Sequence, residues 1–185
     1  LHIARHLTQE IVAGREQAAL LVVDPHGDLA DAVVACLPEA ALERTVFLDL
    51  GDDERPVGLN LLDVRLFPDR DLTADTLGTM LYRLWPTNWG PRMGALLYTA
   101  AAALHMANQA RLQRGMPQYT ILDITPFIVN KDFRDEVARE APDMALWAWL
   151  KENFEDQTPT RRQEIALPLT TKISRLSEAR AIRLL

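Results

Sequence analysis

The sequence predicts an α/β segment over residues 1–66, containing part of a parallel sheet, followed by a mainly α-helical module over 67–185. Three observations carry that prediction. The short, continuous apolar run Ala18–Val23 closes against Asp24-Pro25 and reads as a strand buried on both faces, and Thr45–Leu50 reads as the next strand. Helical patterns precede and separate them, so the order is helix, strand, helix, strand, the pattern of parallel α/β sheets. Beyond about residue 70 apolar residues recur only at helical spacing.

Taken in order, Ile3, Leu7, Ile11 and Val12 form one helical face, and Gly14 supplies its C-terminal stop. The run Ala18–Val23 ends at Asp24-Pro25. Asp28 then reads as the N-cap of a helix through Asp31, Val34 and Cys36, halted near Pro38. Gly51-Asp52-Asp53-Glu54-Arg55-Pro56 reads as an exposed acidic loop. In the helical module, Leu72, Leu77, Met80, Leu81 and Leu84 define a helix closed by Pro86. A longer one opens at Trp89-Gly90-Pro91-Arg92, where Pro91 suits the first helical position, and runs through Met93, Leu96, Leu97, Ala100, Leu104 and Ala107 to Gly115-Met116-Pro117. Further helices are expected near 119–128, 131–140, 142–155 and 159–184. Asn130 is the expected cap of the second, Pro142 and Pro159 suit the first positions of the last two, and Pro168 is expected to kink or split the final one.

The 48% hydrophobic and 25% charged balance is that of a folded chain, and no apolar run approaches the roughly 20 residues a bilayer-spanning helix needs. A single cysteine, Cys36, excludes an internal disulfide and fits a reducing cytoplasm. The net charge of −6 is unevenly spread: residues 161–185 hold six cations against two carboxylates, a net of +4, which leaves −10 for the rest. Only that C-terminal stretch therefore offers DNA a basic face, and its plainer reading is the solvated side of a helix.

The chemistry concentrates at Asp24-Pro25-His26-Gly27-Asp28. A strand ending there would set several polar groups at the carboxyl edge of a parallel sheet, where ligands bind in open α/β folds. Pro25 pushes Asp24 towards extended geometry, and Gly27 permits positive φ or close backbone approach. Asp24 is the candidate catalytic residue. With Asp28 it could hold Mg²⁺ through water beside phosphate oxygens, while His26 and Gly27 would lie next to the nucleotide. The plainer reading gives Asp28 a capping role, Asp24 an amide partner and His26 a surface turn. A metal hydrolase built on Asp24-x-His26-x-Asp28 is disfavoured, because three ligands on one short turn converge poorly and His2, His6 and His105 form no second cluster; no metal site is assigned.

These features together resemble the HerA–FtsK class of P-loop ATPases, the ring-forming DNA motors, and especially the conjugative-transfer and type IV secretion ATPases. The resemblance rests on Asp24-Pro25-His26-Gly27-Asp28-Leu29 and on Trp89-Gly90-Pro91-Arg92, supported by Leu37-Pro38 and Gly58-Leu59-Asn60. It implies a partial P-loop NTPase sheet, hexameric assembly with ATP and Mg²⁺ at subunit interfaces, and a cytoplasmic motor associated with a membrane secretion complex. The sequence departs from the class in lacking G-x-x-x-x-G-K-[ST], indeed any Gly-Lys pair, and an apolar strand ending Asp-Glu. The expectation is thus an internal segment that neither binds ATP tightly nor hydrolyses it alone. The alternative is a non-enzymatic helical interaction module on a degenerate nucleotide-binding fold.

Arg92 stands in the first turn of a helix, where a cation gains nothing from the dipole, so an intersubunit or phosphate contact is set beside a surface salt bridge. Trp85, Trp89, Trp147 and Trp149 suit core packing, with base stacking as the functional counterpart. Cys36 reads as core filling.

Overall fold

The computed structural model describes residues 1–15, 18–49, 52 and 58–178, and within them the chain forms two compact units, 1–48 and 49–185. Every helix and turn below belongs to one of them. The division falls at Leu48–Asp49 and not near residue 66, because residues 60–64 are bonded into the helical unit: Asn60 Nδ2 donates to the Tyr119 carbonyl at 2.9 Å, and the Val64 amide donates to Gln118 at 3.0 Å.

Unit 1 contains α1 (His2–Val12), α2 (Asp28–Ala35) and the single turn α3 (Glu39–Leu42), with α1 and α3 in contact. Gly14 ends α1 at φ +70°, as its position predicts. The expected parallel sheet is overturned: among the described residues no strand is formed, and 18–23 and 45–49 run without one. The physical reason is pairing. An apolar run signals a gain from burial, but a strand also needs a neighbour to accept its N–H and supply its C=O groups, and none of the described residues does so. Leu21 and Val23 are 85% and 79% exposed, and Val46 82%, the opposite of a strand buried on both faces. Leu50 and most of the expected acidic loop lie outside the described residues.

Unit 2 is built around α5 (Pro91–Gln113). Against it pack α4 (Arg70–Leu84), α6 (Ile124–Val129), α7 (Lys131–Glu140), α8 (Met144–Leu150) and α9 (Pro159–Glu178). Its middle is an alanine run, Ala100–Ala103, flanked by Leu96, Leu97 and Leu104, all buried. Small side chains on every side let several helices approach one axis, so α5 is buried nearly all round instead of on the one predicted face. The stripe that α4 buries is Thr73, Ala74, Leu77 and Leu81, whereas Leu72 and Leu84, expected on that face, are exposed.

The caps are mostly where the sequence puts them. Asn130 accepts from the amides of Asp132 and Phe133 to start α7, and Pro159 opens α9. Pro142 is displaced from its expected first helical position, since Asp143 caps α8 by accepting from the Leu146 amide at 3.0 Å. After α8 one π-helical turn, Lys151–Glu155, carries the buried Phe154. Helix α9 continues through Pro168 without splitting. Pro168 itself is exposed, while its neighbours Leu169 and Ile173 are fully buried and hold the helix on the core.

Three buried polar side chains of unit 2, Asn108, Arg134 and His105, bond to backbone carbonyls. Asn108 donates to the Leu62 and Tyr119 carbonyls and accepts from the Tyr119 amide, and Arg134 donates to the carbonyls of Phe127 and Ile128 and to Glu155. His105 Nε2–H donates to the Phe67 carbonyl at 2.6 Å, which ties the loop before α4 to α5.

Candidate functional site

Asp24, His26, Gly27 and Asp28 come together in one tight turn at the start of α2. Its organiser is the Asp24 carboxylate: Oδ1 accepts from the His26 amide at 3.0 Å, and Oδ2 accepts from the amides of Leu29 at 2.7 Å and Ala30 at 3.0 Å. Those amides belong to the first turn of α2 and have no partner within the helix. Gly27, at φ +92°, is the residue that lets the chain reverse there, and a β-carbon would strain that conformation. Asp28 is consequently the first helical residue and not the cap, which corrects its predicted role; Gly27 occupies the cap position and Asp24 supplies the oxygen. The bond from the Ala30 amide, foremost, and that from His26 hold the Asp24 carboxyl below the ordinary aspartate range, so it is ionised.

This arrangement has a chemical consequence. A helix N-terminus attracts anions through its free amides and its dipole. In α2 those amides are already occupied by a carboxylate from the same chain, and Asp28 and Asp31 add negative charge in the first turn. Among the described residues no group of three or more His, Cys, Asp or Glu side chains is placed to hold a metal ion. By themselves these residues do not fit a nucleotide with Mg²⁺, because the amides are taken and no cation among the described residues is bonded into the turn. No chemical step through ATP is derived from them. His26 is exposed on the outside of the turn.

Arg92 is in unit 2, at the second position of α5, and exposed. It has no ion-pair or hydrogen-bond partner among the described residues, so the surface salt bridge set beside its other readings is not formed. The basic C-terminal stretch is less available than its charge count suggests. Arg161 pairs with Glu164, and Lys172 is buried with its ammonium 5.9 Å from the centre of the Trp85 ring. Arg175 is exposed, and Arg180 and Arg183 lie outside the described residues.

The four tryptophans serve packing. Each is half-buried against the core of unit 2, and Trp147 Nε1–H donates to the Ala141 carbonyl at 2.6 Å. Cys36 is a half-buried free thiol just past α2.

One cluster escaped the sequence reading. Asp63, buried, accepts from the Arg65 guanidinium and from Gln118 Nε2 at 2.8 Å, and that Arg65 contact above all holds its carboxyl well below the usual range. Tyr119 sits under the Arg111 guanidinium, 4.1 Å from ring centre to Cζ, and burial pushes its phenol far above the usual value. Asp63 and Arg65 lie two residues apart and could have been read as a pair, but Gln118 lies far along the chain and no local pattern points to it. No helix among the described residues is long and apolar enough to cross a membrane. The chain has no match among protein-family models, curated proteins or solved structures.

Proposed function

We propose that the chain is a segment of an ATP-driven DNA-translocating or secretion-associated motor, with unit 2 as its helical interaction module. The observation that carries this reading is the Asp24–Leu29 hexapeptide. Its aspartate, glycine and following helix form one closed turn in which Asp24 holds the backbone and His26 is left outward, a shape suited to one wall of a ligand site. Trp89–Arg92 supports it through Arg92, an exposed guanidinium with no partner among the described residues, as an intersubunit or phosphate contact requires. ATP and Mg²⁺ belong to the parent protein, a cytoplasmic ring of like subunits, and are not held by this turn alone. DNA contact through 161–185 falls to Arg162 and Arg175 with Arg180 and Arg183, given the engagement of Arg161 and Lys172.

A second reading, a non-enzymatic helical interaction module, is favoured by one specific observation: the Asp24 carboxylate is fully used in capping α2. ATP turnover separates the two. In the first reading the 185-residue chain alone shows none above buffer, while the full-length protein does and loses most of it on Asp24→Ala with its folded helix content retained. A full-length protein without turnover, or one whose turnover is unchanged by Asp24→Ala, leaves the second reading standing.

A further inference from the structure

A groove of about 290 Å³ lies between α4 and α5, and aromatic rings form much of its wall. Tyr82 and Trp89 meet edge to face, with ring centres 6.5 Å apart and planes at 72°, so two π-surfaces make an open corner. Tyr98 completes the wall, its orientation fixed by a 2.9 Å bond from its hydroxyl to Asp71. Two helical glycines make the space. A β-carbon at Gly94 would stand 3.3 Å from Trp89 Nε1, so glycine there seats the indole against α5. A β-carbon at Gly78 would meet nothing within 4 Å: no packing demands glycine at that point, and the room it leaves is the groove itself. Glycine is among the residues a helix interior tolerates least, which makes an empty space in front of one informative.

The electrostatics point to one kind of occupant. Asp75 is exposed on the groove lining and has no ion-pair partner among the described residues, whereas the Asp71 carboxylate behind Tyr98 is already paired with Arg70 at 2.6 Å, so the uncompensated charge of the groove is that of Asp75. Carboxylates repel an anion or phosphate. A cation with a diffuse charge and an apolar shell is drawn both to ring faces and to an unpaired carboxylate, and alkylated ammonium groups are recognised in this way. We propose that this groove binds a small trimethylammonium compound, its methyl groups against Tyr82, Trp89 and Tyr98 and its charge balanced by Asp75. The volume accommodates one such group, and the lining is a corner between two helices.

The test is a titration of the 185-residue chain with choline, followed by the indole N–H resonance of Trp89, with 3,3-dimethylbutanol as the neutral isostere. Choline should shift that resonance saturably, and the isostere should bind about tenfold more weakly, since it lacks the charge that ring faces and Asp75 recognise. Gly78→Leu, which fills the groove with a good helix former and keeps the fold by circular dichroism, should abolish the shift; Asp75→Asn should weaken it several-fold. Equal binding of the isostere, binding that survives Gly78→Leu in a folded chain, or no shift at all would overturn the assignment. So would a trimethyllysine peptide or phosphatidylcholine vesicles saturating the site well below choline, which would make the ligand a macromolecule.

Discussion

Units 1 and 2 are both rich in aliphatic residues, yet they treat them in opposite ways. Unit 2 buries a continuous core from Leu62 to Ile173, and α5 at its centre is covered on nearly every side. In unit 1 the buried apolar residues among those described are Val33 and Ala41, and Ile3, Leu21, Val23 and Val46 each stand about four-fifths exposed. The contrast teaches that an apolar pattern states what a segment gains by burial, whereas the partner surface decides whether it is buried. Alanines on α5 create that surface by letting neighbours approach; the runs at 18–23 and 45–49 meet no second strand among the described residues.

The sharpest way to break this comparison is a pair of matched truncations. Leu104→Ala, in the fully buried centre of α5, should cost unit 2 about 2–5 kcal/mol, because it removes packed methyl groups and leaves a cavity. Leu21→Ala, at 85% exposure, should change stability by less than about 0.5 kcal/mol. Urea unfolding measures the first through tryptophan fluorescence, since all four tryptophans are in unit 2, and the second through circular dichroism. Equal effects would erase the distinction between the units.

A smaller effect is pH-dependent and centres on Asp63 in unit 2. The Asp63 carboxyl, ordinarily near 3.8, is depressed in the folded chain by Arg65 first and by Gln118. A depressed carboxyl contributes stability that is fully present above its ordinary value and is lost as pH falls from there through the folded value. Acidification below about pH 4 should therefore destabilise the parent chain more steeply than Asp63→Asn, with the two curves parallel above pH 5. Identical slopes in urea unfolding from pH 5 to pH 2 would remove Asp63 from the account.

The smallest concerns Arg92. A cation at the second position of α5 opposes the helix dipole, so Arg92→Glu should stabilise unit 2 by about 0.3–1 kcal/mol at low salt. A loss of stability instead would mean that Arg92 has a structural partner.

The helices were largely legible because their signals are local. Gly14, Asn130 and Pro159 act within a turn of where they stand, and the structure uses each as its chemistry suggests. Asp28 was misread for an instructive reason: a cap can come from a side chain several residues upstream, and Asp24 outreaches the residue next to the helix. Leu72 and Leu84 fit the helical period of α4, yet the buried stripe runs through the smaller Thr73 and Ala74, because α5 approaches closely there. The sheet failed at the step that is not local, strand pairing. Of the candidate site, the turn at 24–28 was visible as a unit, but that its carboxylate spends itself on the backbone depends on two oxygens meeting three amides, which residue types alone do not fix.

The central claim is that helical unit 2 is the ordered core while the apolar runs of unit 1 form no sheet, and amide hydrogen exchange on the whole chain tests it most directly. The account predicts slow exchange in α5, above all at Ala100–Leu104, and fast exchange at 18–23 and 46–48, whose amides are in no ladder among the described residues. Protection of both runs comparable to that of α5 would contradict it and restore the parallel sheet.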